Sequence, residues 1–108
     1  MSEITLTQAD NGRTIDIWVG DRLDVNLREN PTTGFQWGID QNNDEVLRVE
    51  GAEYISPTTS PIGGAGQRTF TFIGQQSGTA ELRLKLWREW QGESSVVERF
   101  TVTIQVHD

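Results

Sequence analysis

Apolar and polar residues alternate with a period of two along most of this chain. In Ile15-Asp16-Ile17-Trp18-Val19 and Leu23-Asp24-Val25-Asn26-Leu27 the odd positions are apolar, and the same parity runs on through Phe35, Trp37 and Ile39. Even positions take over in Phe70-Thr71-Phe72, in Leu82-Arg83-Leu84-Lys85-Leu86 and from Phe100 to Val106. Successive side chains of an extended strand point to opposite faces, so this alternation predicts half-buried strands. No segment carries a 3.6-residue apolar stripe. Turn-forming clusters separate the runs: Asp10-Asn11-Gly12, Gly20-Asp21, Asn30-Pro31, Asn42-Asn43, Pro57 through Gly66, Gly74 through Gly78, and Gln91-Gly92. Their spacing predicts seven or eight short strands. Two antiparallel sheets packed face to face satisfy that pattern better than a closed barrel, which needs strands of more even length, so the expected fold is an all-β, immunoglobulin-like sandwich.

Trp37 falls at an inward position on the strand after the Asn30 turn, where such sandwiches bury a large aromatic. Its removal is expected to cost folding before function, because burying a ring of this size contributes roughly 2–3 kcal/mol. The acidic residues Asp16, Asp24 and Glu81 alternate with core positions and are expected to face solvent. Trp18 and Trp87 fall on outward positions, where structural roles are expected.

A length of 108 residues suits one domain spanning 1–108. A chain of this size buries roughly 65% of its unfolded surface. With 34% hydrophobic and 23% charged residues interleaved, the chain is expected to fold by itself. The formal net charge is −7, and no window gathers Lys and Arg into a phosphate-binding stripe, so nucleic acid is not an expected partner. There is no apolar run of about 18 residues, and the opening Met1 to Thr7 lacks the basic and apolar parts of a leader. A soluble monomer without membrane contact is expected. A leader removed earlier would leave no trace, so the compartment stays open. The absence of cysteine excludes disulfides, thiol catalysis and Cys-ligated zinc.

Catalysis needs a positioned base or nucleophile. The one histidine, His107, stands next to the C-terminus, where chains commonly fray, so no catalytic residue is expected. The run Asp40-Gln41-Asn42-Asn43-Asp44-Glu45 faintly resembles the start of a calcium loop, but Glu45 stands where glycine is needed and Gly51 where a bidentate Glu is needed. It reads as a polar connection, with no metal and no cofactor.

Asn30-Pro31-Thr32-Thr33-Gly34-Phe35 is different. Pro31 fixes its own φ and holds Asn30 extended, while Gly34 admits a positive φ. A stiff, narrow loop results, with two β-branched threonines at its tip whose hydroxyls are expected to offer donors and acceptors. Such a preorganised wedge loses little entropy on binding; the alternative is a plain hairpin turn without a partner. Ser56 to Gly66 is a long connection whose Gly63-Gly64-Ala65-Gly66 leaves backbone groups uncovered, suited either to main-chain pairing with a partner or to a slack linker. Arg88-Glu89-Trp90 follows the last alternating run. An exposed Trp beside an Arg combines two residue types enriched at interface hot spots.

Taken together these loops resemble those of the chagasin family, immunoglobulin-like inhibitors of papain-family cysteine peptidases, over nearly the whole chain. The family's first loop, N-P-T-T-G, an aromatic, one variable residue and Trp, is reproduced in full by Asn30 to Trp37. Its G-x-G-G loop is matched by Gly63 to Gly66 with Ala65 as a departure, and its R-P-W by Arg88-Glu89-Trp90 with Glu89 as a departure. The resemblance implies that Thr32 and Thr33 enter the cleft of a cathepsin-like peptidase, that the glycine segment lies on one side and Trp90 on the other, and that inhibition is reversible, noncovalent and one-to-one. Ala65 and Glu89 are expected to shift affinity or preference from the family norm. A general immunoglobulin-like adhesion or ligand-binding module is the competing reading.

Overall fold

The computed structural model describes residues 2–56 and 66–108. Eight strands run through it: β1 Glu3–Leu6, β2 Thr14–Trp18, β3 Arg22–Glu29, β4 Gln36–Gln41, β5 Leu47–Ile55, β6 Gly66–Gly74, β7 Gly78–Trp87 and β8 Glu98–His107. They form two four-stranded sheets, ordered β1-β3-β6-β5 and β2-β8-β7-β4. The expected sandwich is present. Its interior pairs are antiparallel, whereas the edge strands β1 and β2 join β3 and β8 in parallel. Those two parallel pairs are a detail that alternation could not express, since it gives the face of a side chain and not the direction of its neighbour.

The two parities meet in the core. Leu23, Val25, Leu27, Phe70 and Phe72 from one sheet face Leu82, Leu84, Phe100, Val102 and Ile104 from the other, all buried. Trp37 is buried as expected. β5 has no clean alternation because a register shift between Val49 and Gly51 moves its apolar residues from odd to even positions, as a bulge does.

Two expectations need correction. Asp24 is 7% exposed instead of solvated, because its Oδ1 accepts hydrogen bonds from Arg22 Nε at 3.1 Å and Thr71 Oγ1 at 3.0 Å across the outer face. Asp16 does stay exposed, and Glu81 is partly exposed. His107 does not fray: it is the last residue of β8, paired with Trp18, and its Nε2 lies 2.9 Å from Asp16 Oδ1. The half-exposed Trp18 ring leans on the His107 ring, and Trp87 supports the Lys85 ammonium 3.9 Å above its own ring, so both tryptophans have structural contacts. The polar run from Asp40 ends β4 and leads into β5, closed by an Asn42 Nδ2 bond to Leu47 O at 2.8 Å. No helix of the described residues is long and apolar enough to cross a membrane.

Candidate functional site

The strand ends place two connections side by side: β3 to β4, through Asn30–Phe35, and β7 to β8, through Arg88–Val97. Because β4 and β7 are paired, with Gln36 opposite Trp87, both connections leave the same end of the sandwich. His107 lies at the other end of β8, away from them.

Pro31–Thr33 forms a single turn of 3-10 helix with Asn30 as its N-cap in extended backbone. Asn30 Oδ1 accepts from Thr32 N at 3.1 Å and from Thr32 Oγ1 at 2.7 Å. Thr33 Oγ1 donates to Asn30 O at 2.8 Å and accepts from Phe35 N at 3.3 Å. Gly34 closes the turn at φ +80°. The stiffness expected from Pro31 and Gly34 is thus reinforced by the threonines themselves. Free hydroxyl donors at the tip are not present: each threonine hydrogen is directed to the loop's own oxygens, which leaves the methyls, the spare lone pairs and the exposed backbone for a partner.

Below the turn, the Glu29 carboxylate is fully buried and joins its two stems. Glu29 Oε1 accepts from Trp37 N at 2.7 Å, and Oε2 accepts from Arg68 Nη2 at 2.7 Å. Trp37 Nε1 donates to Arg28 O at 2.9 Å, a second tie between the stems. Arg68 also lies over the Tyr54 ring, 5.5 Å from its centre. Gly66 is the buried first residue of β6, and the Tyr54 hydroxyl occupies the place a Cβ there would take. Its position is therefore set by packing within the strand pair. Gly63, Gly64 and Ala65 lie outside the described residues.

Arg88 connects the other loop to the wedge. Its Nε and Nη2 donate to Thr33 O at 3.2 and 3.0 Å, and its guanidinium stacks 4.3 Å from the centre of the Phe35 ring. Trp90, in a single 3-10 turn Glu89–Gln91, is 73% exposed, as its place after the last alternating run led one to expect. The edge of its ring rests on Gly34, where a Cβ would come 2.9 Å from Trp90 Cη2. Beside this pair a groove of about 300 Å³ is lined by Gln8, Arg28, Asn30, Thr33, Phe35, Leu86 and Glu98.

Charge holds the second loop from beneath. Lys85 Nζ lies 2.8 Å from Glu93 and 3.2 Å from Asp40, and Arg99 meets the same two carboxylates at 3.0 and 3.2 Å. Hydrogen bonds from Lys85, then from Arg99, hold the Glu93 carboxyl below its ordinary value, and the Glu93 bond raises Lys85. Among the described residues no group of three or more His, Cys, Asp or Glu gathers as a metal site. The arrangement is a projecting surface made of two loops tied to each other through Arg88 and Thr33.

The sequence profile of the chagasin family of peptidase inhibitors matches residues 16–104. This chain belongs to the chagasin family. Its function is that of a peptidase inhibitor, not an enzyme. Chagasin of Trypanosoma cruzi is 32% identical over 106 residues, an alignment covering 94% of this chain and 96% of that protein. Among solved structures, the cysteine protease inhibitor EhICP2 of Entamoeba histolytica superposes with a TM-score of 0.89 at 20% identity, over 99% of this chain and 97% of that one. Amebosin superposes with a TM-score of 0.80 at 30% identity, over 97% and 98% of the two chains.

Sequence reading did not single out Glu29, Arg68, Glu93 or Ser95 of this chagasin-family chain. For the first two a signal was present: Glu29 continues the odd core parity of Leu23, Val25 and Leu27, and Arg68 the even core parity of Phe70 and Phe72. Opposite charges on core-facing positions of neighbouring strands are a pair in waiting. Glu93 and Ser95 carry no such periodic mark.

Proposed function

We propose that this chain, as one domain and one monomer per target, inhibits papain-like cysteine peptidases of the cathepsin type by reversible, noncovalent occlusion of the cleft. Asn30, Pro31, Thr32, Thr33, Gly34 and Phe35 form the wedge, Arg88 and Trp90 flank it on one side, and Gly63, Gly64 and Ala65 supply the other, with the buried Gly66 anchoring that segment in β6. The observation that carries this reading is the double hydrogen bond from Arg88 to Thr33 O, which makes two separate loops one preformed surface. A surface that needs little ordering on contact keeps more of its interaction energy as affinity. The wedge's internal hydrogen bonds also favour a loop that resists distortion toward cleavage, as an inhibitor that is not turned over requires. The carry-over of target class rests on the full match of Asn30 to Trp37 to the family's first loop.

Titration of papain with the folded protein is the test. Stoichiometric, reversible loss of activity, with an intact inhibitor chain recovered afterwards, is the expected result. Full papain activity in the presence of folded protein would leave only the general binding-module reading.

A further inference from the structure

The Trp87-to-Glu98 connection carries Trp90 on two single-turn helices, Glu89–Gln91 and Glu93–Ser95, hinged on Gly92 at φ +77°, and neither turn has a side-chain cap at its start. Isolated turns of this length have little stability of their own. Two tethers hold them. Ser95 Oγ accepts from Arg88 N at 2.9 Å and lies 2.6 Å from Gly92 O and 2.9 Å from Arg88 O, closing the loop on itself. Glu93 fastens the closed loop to the sheet, since it completes a ring of four ion pairs with Lys85 of β7, Arg99 of β8 and Asp40 of β4.

That ring differs from an ordinary surface pair. Lys85 is itself almost buried, with its ammonium seated on the Trp87 ring, so the partner that Glu93 meets is already ordered. The entropy that usually cancels an exposed ion pair is therefore smaller here. Trp90 sits between the two ends of the tether, Arg88 and Gly92, with its ring edge on Gly34.

We propose that Glu93 is a positioning residue for the Trp90 contact: by fixing the second turn to the outer face of the β4, β7 and β8 strands it sets where Trp90 stands relative to the wedge. The geometry is independent of the inhibitor reading, and the binding consequence rests on it.

The experiment uses Glu93→Gln, Glu93→Ala, Trp90→Ala and the Glu93→Gln/Trp90→Ala double variant, with two readouts. In the free protein, backbone 15N relaxation over residues 89–92 is expected to fall from order parameters of about 0.85 toward about 0.6 in both Glu93 variants, with the core strands unchanged. With papain as the probe, Glu93→Gln is expected to raise the dissociation rate roughly three- to tenfold, and to add nothing once Trp90 is Ala. Glu93→Ala removes the carboxamide's remaining hydrogen bonds and covers the case in which the neutral side chain keeps the ring. Unchanged relaxation in both variants would overturn the positioning role. Additive effects of Glu93→Gln and Trp90→Ala would show that Glu93 acts elsewhere, and would overturn it too. If the unaltered protein leaves papain active, the inhibitor reading fails, and the relaxation readout still decides the position of Trp90.

Discussion

The Arg88 guanidinium donates two hydrogen bonds to the carbonyl oxygen of Thr33, 55 positions away in the chain, at 3.2 and 3.0 Å. It stacks at the same time on Phe35, the next aromatic after that carbonyl. A planar fork can do both at once; a point charge cannot. Arg88→Lys is therefore expected to behave as a damaging change despite conserving charge. Its papain dissociation rate should rise about tenfold, while the unfolding free energy drops by no more than about 1 kcal/mol. Surface plasmon resonance with parallel urea unfolding separates the two, and an unchanged dissociation rate would remove Arg88 as the strut between loops.

Gly34 joins two constraints, a φ of +80° and a Trp90 ring that would come 2.9 Å from any Cβ. Gly34→Ala should lose about 1–2 kcal/mol from the backbone alone. It should weaken papain inhibition further by pushing Trp90 aside. Gly20→Ala is the control, since Gly20 has φ +93° and nothing within 4 Å of a built Cβ. Equal loss of inhibition in the two variants would mean that the Trp90 contact is irrelevant.

The two threonines should differ although both are exposed. Thr33→Val removes a donor to Asn30 O and an acceptor for Phe35 N, whereas Thr32→Val removes one bond to Asn30 Oδ1 and keeps the backbone cap. At about 0.5–1.5 kcal/mol per bond, Thr33→Val should lower the unfolding free energy by about twice as much as Thr32→Val. Denaturant midpoints at constant m-value check this. An inverted order would contradict the hydrogen-bond geometry of the turn.

Glu29 is the residue least tolerant of truncation. Glu29→Ala leaves both the Arg68 guanidinium and the Trp37 amide without their buried acceptor, an expected loss of about 3–5 kcal/mol. Replacing Glu29 and Arg68 together by Leu and Met should recover only part of that stability, because it removes the stranded guanidinium charge but still leaves the buried Trp37 N–H without an acceptor. Partly recovered stability with weaker papain inhibition would show that the pair's use lies in fixing the wedge stems.

Stability should fall in acid, with the sign set by three carboxylates. Asp21 is held below its ordinary value by the backbone N–H groups of Trp18 and Ser2, Asp10 by that of Thr7, and Glu93 by Lys85 and Arg99. A depressed folded-state pKa means the unfolded chain takes up protons first. The contribution is complete above the ordinary carboxylate value of about 4 and is lost as pH drops below it. Thermal midpoints measured from about pH 6 to about pH 2.5 should stay level and then decline, and Asp21→Asn should flatten the decline.

Alternation, turn clusters and the Asn30 to Trp37 motif were enough to determine the sandwich, the two core parities, Trp37 as core and the stiff turn from Asn30 to Phe35. These depend on local relations: period two assigns a face, Pro31 and Gly34 restrict their own backbone, and a polar cluster breaks a strand wherever it occurs. The tertiary structure alone decided that β1 and β2 pair in parallel, that Asp24 is covered, that Arg88 reaches the Thr33 carbonyl and that Glu93 anchors the Trp90 loop. Each of these depends on partners from other strands, such as Thr71 for Asp24, Lys85 for Glu93 and Arg88 for Thr33. A hydrogen bond or an ion pair is fixed by a separation of about 3 Å in space, which distance along the chain does not encode. Glu29 and Arg68 stand between the two cases, because their core parity marked them in the sequence and only folding showed that they meet.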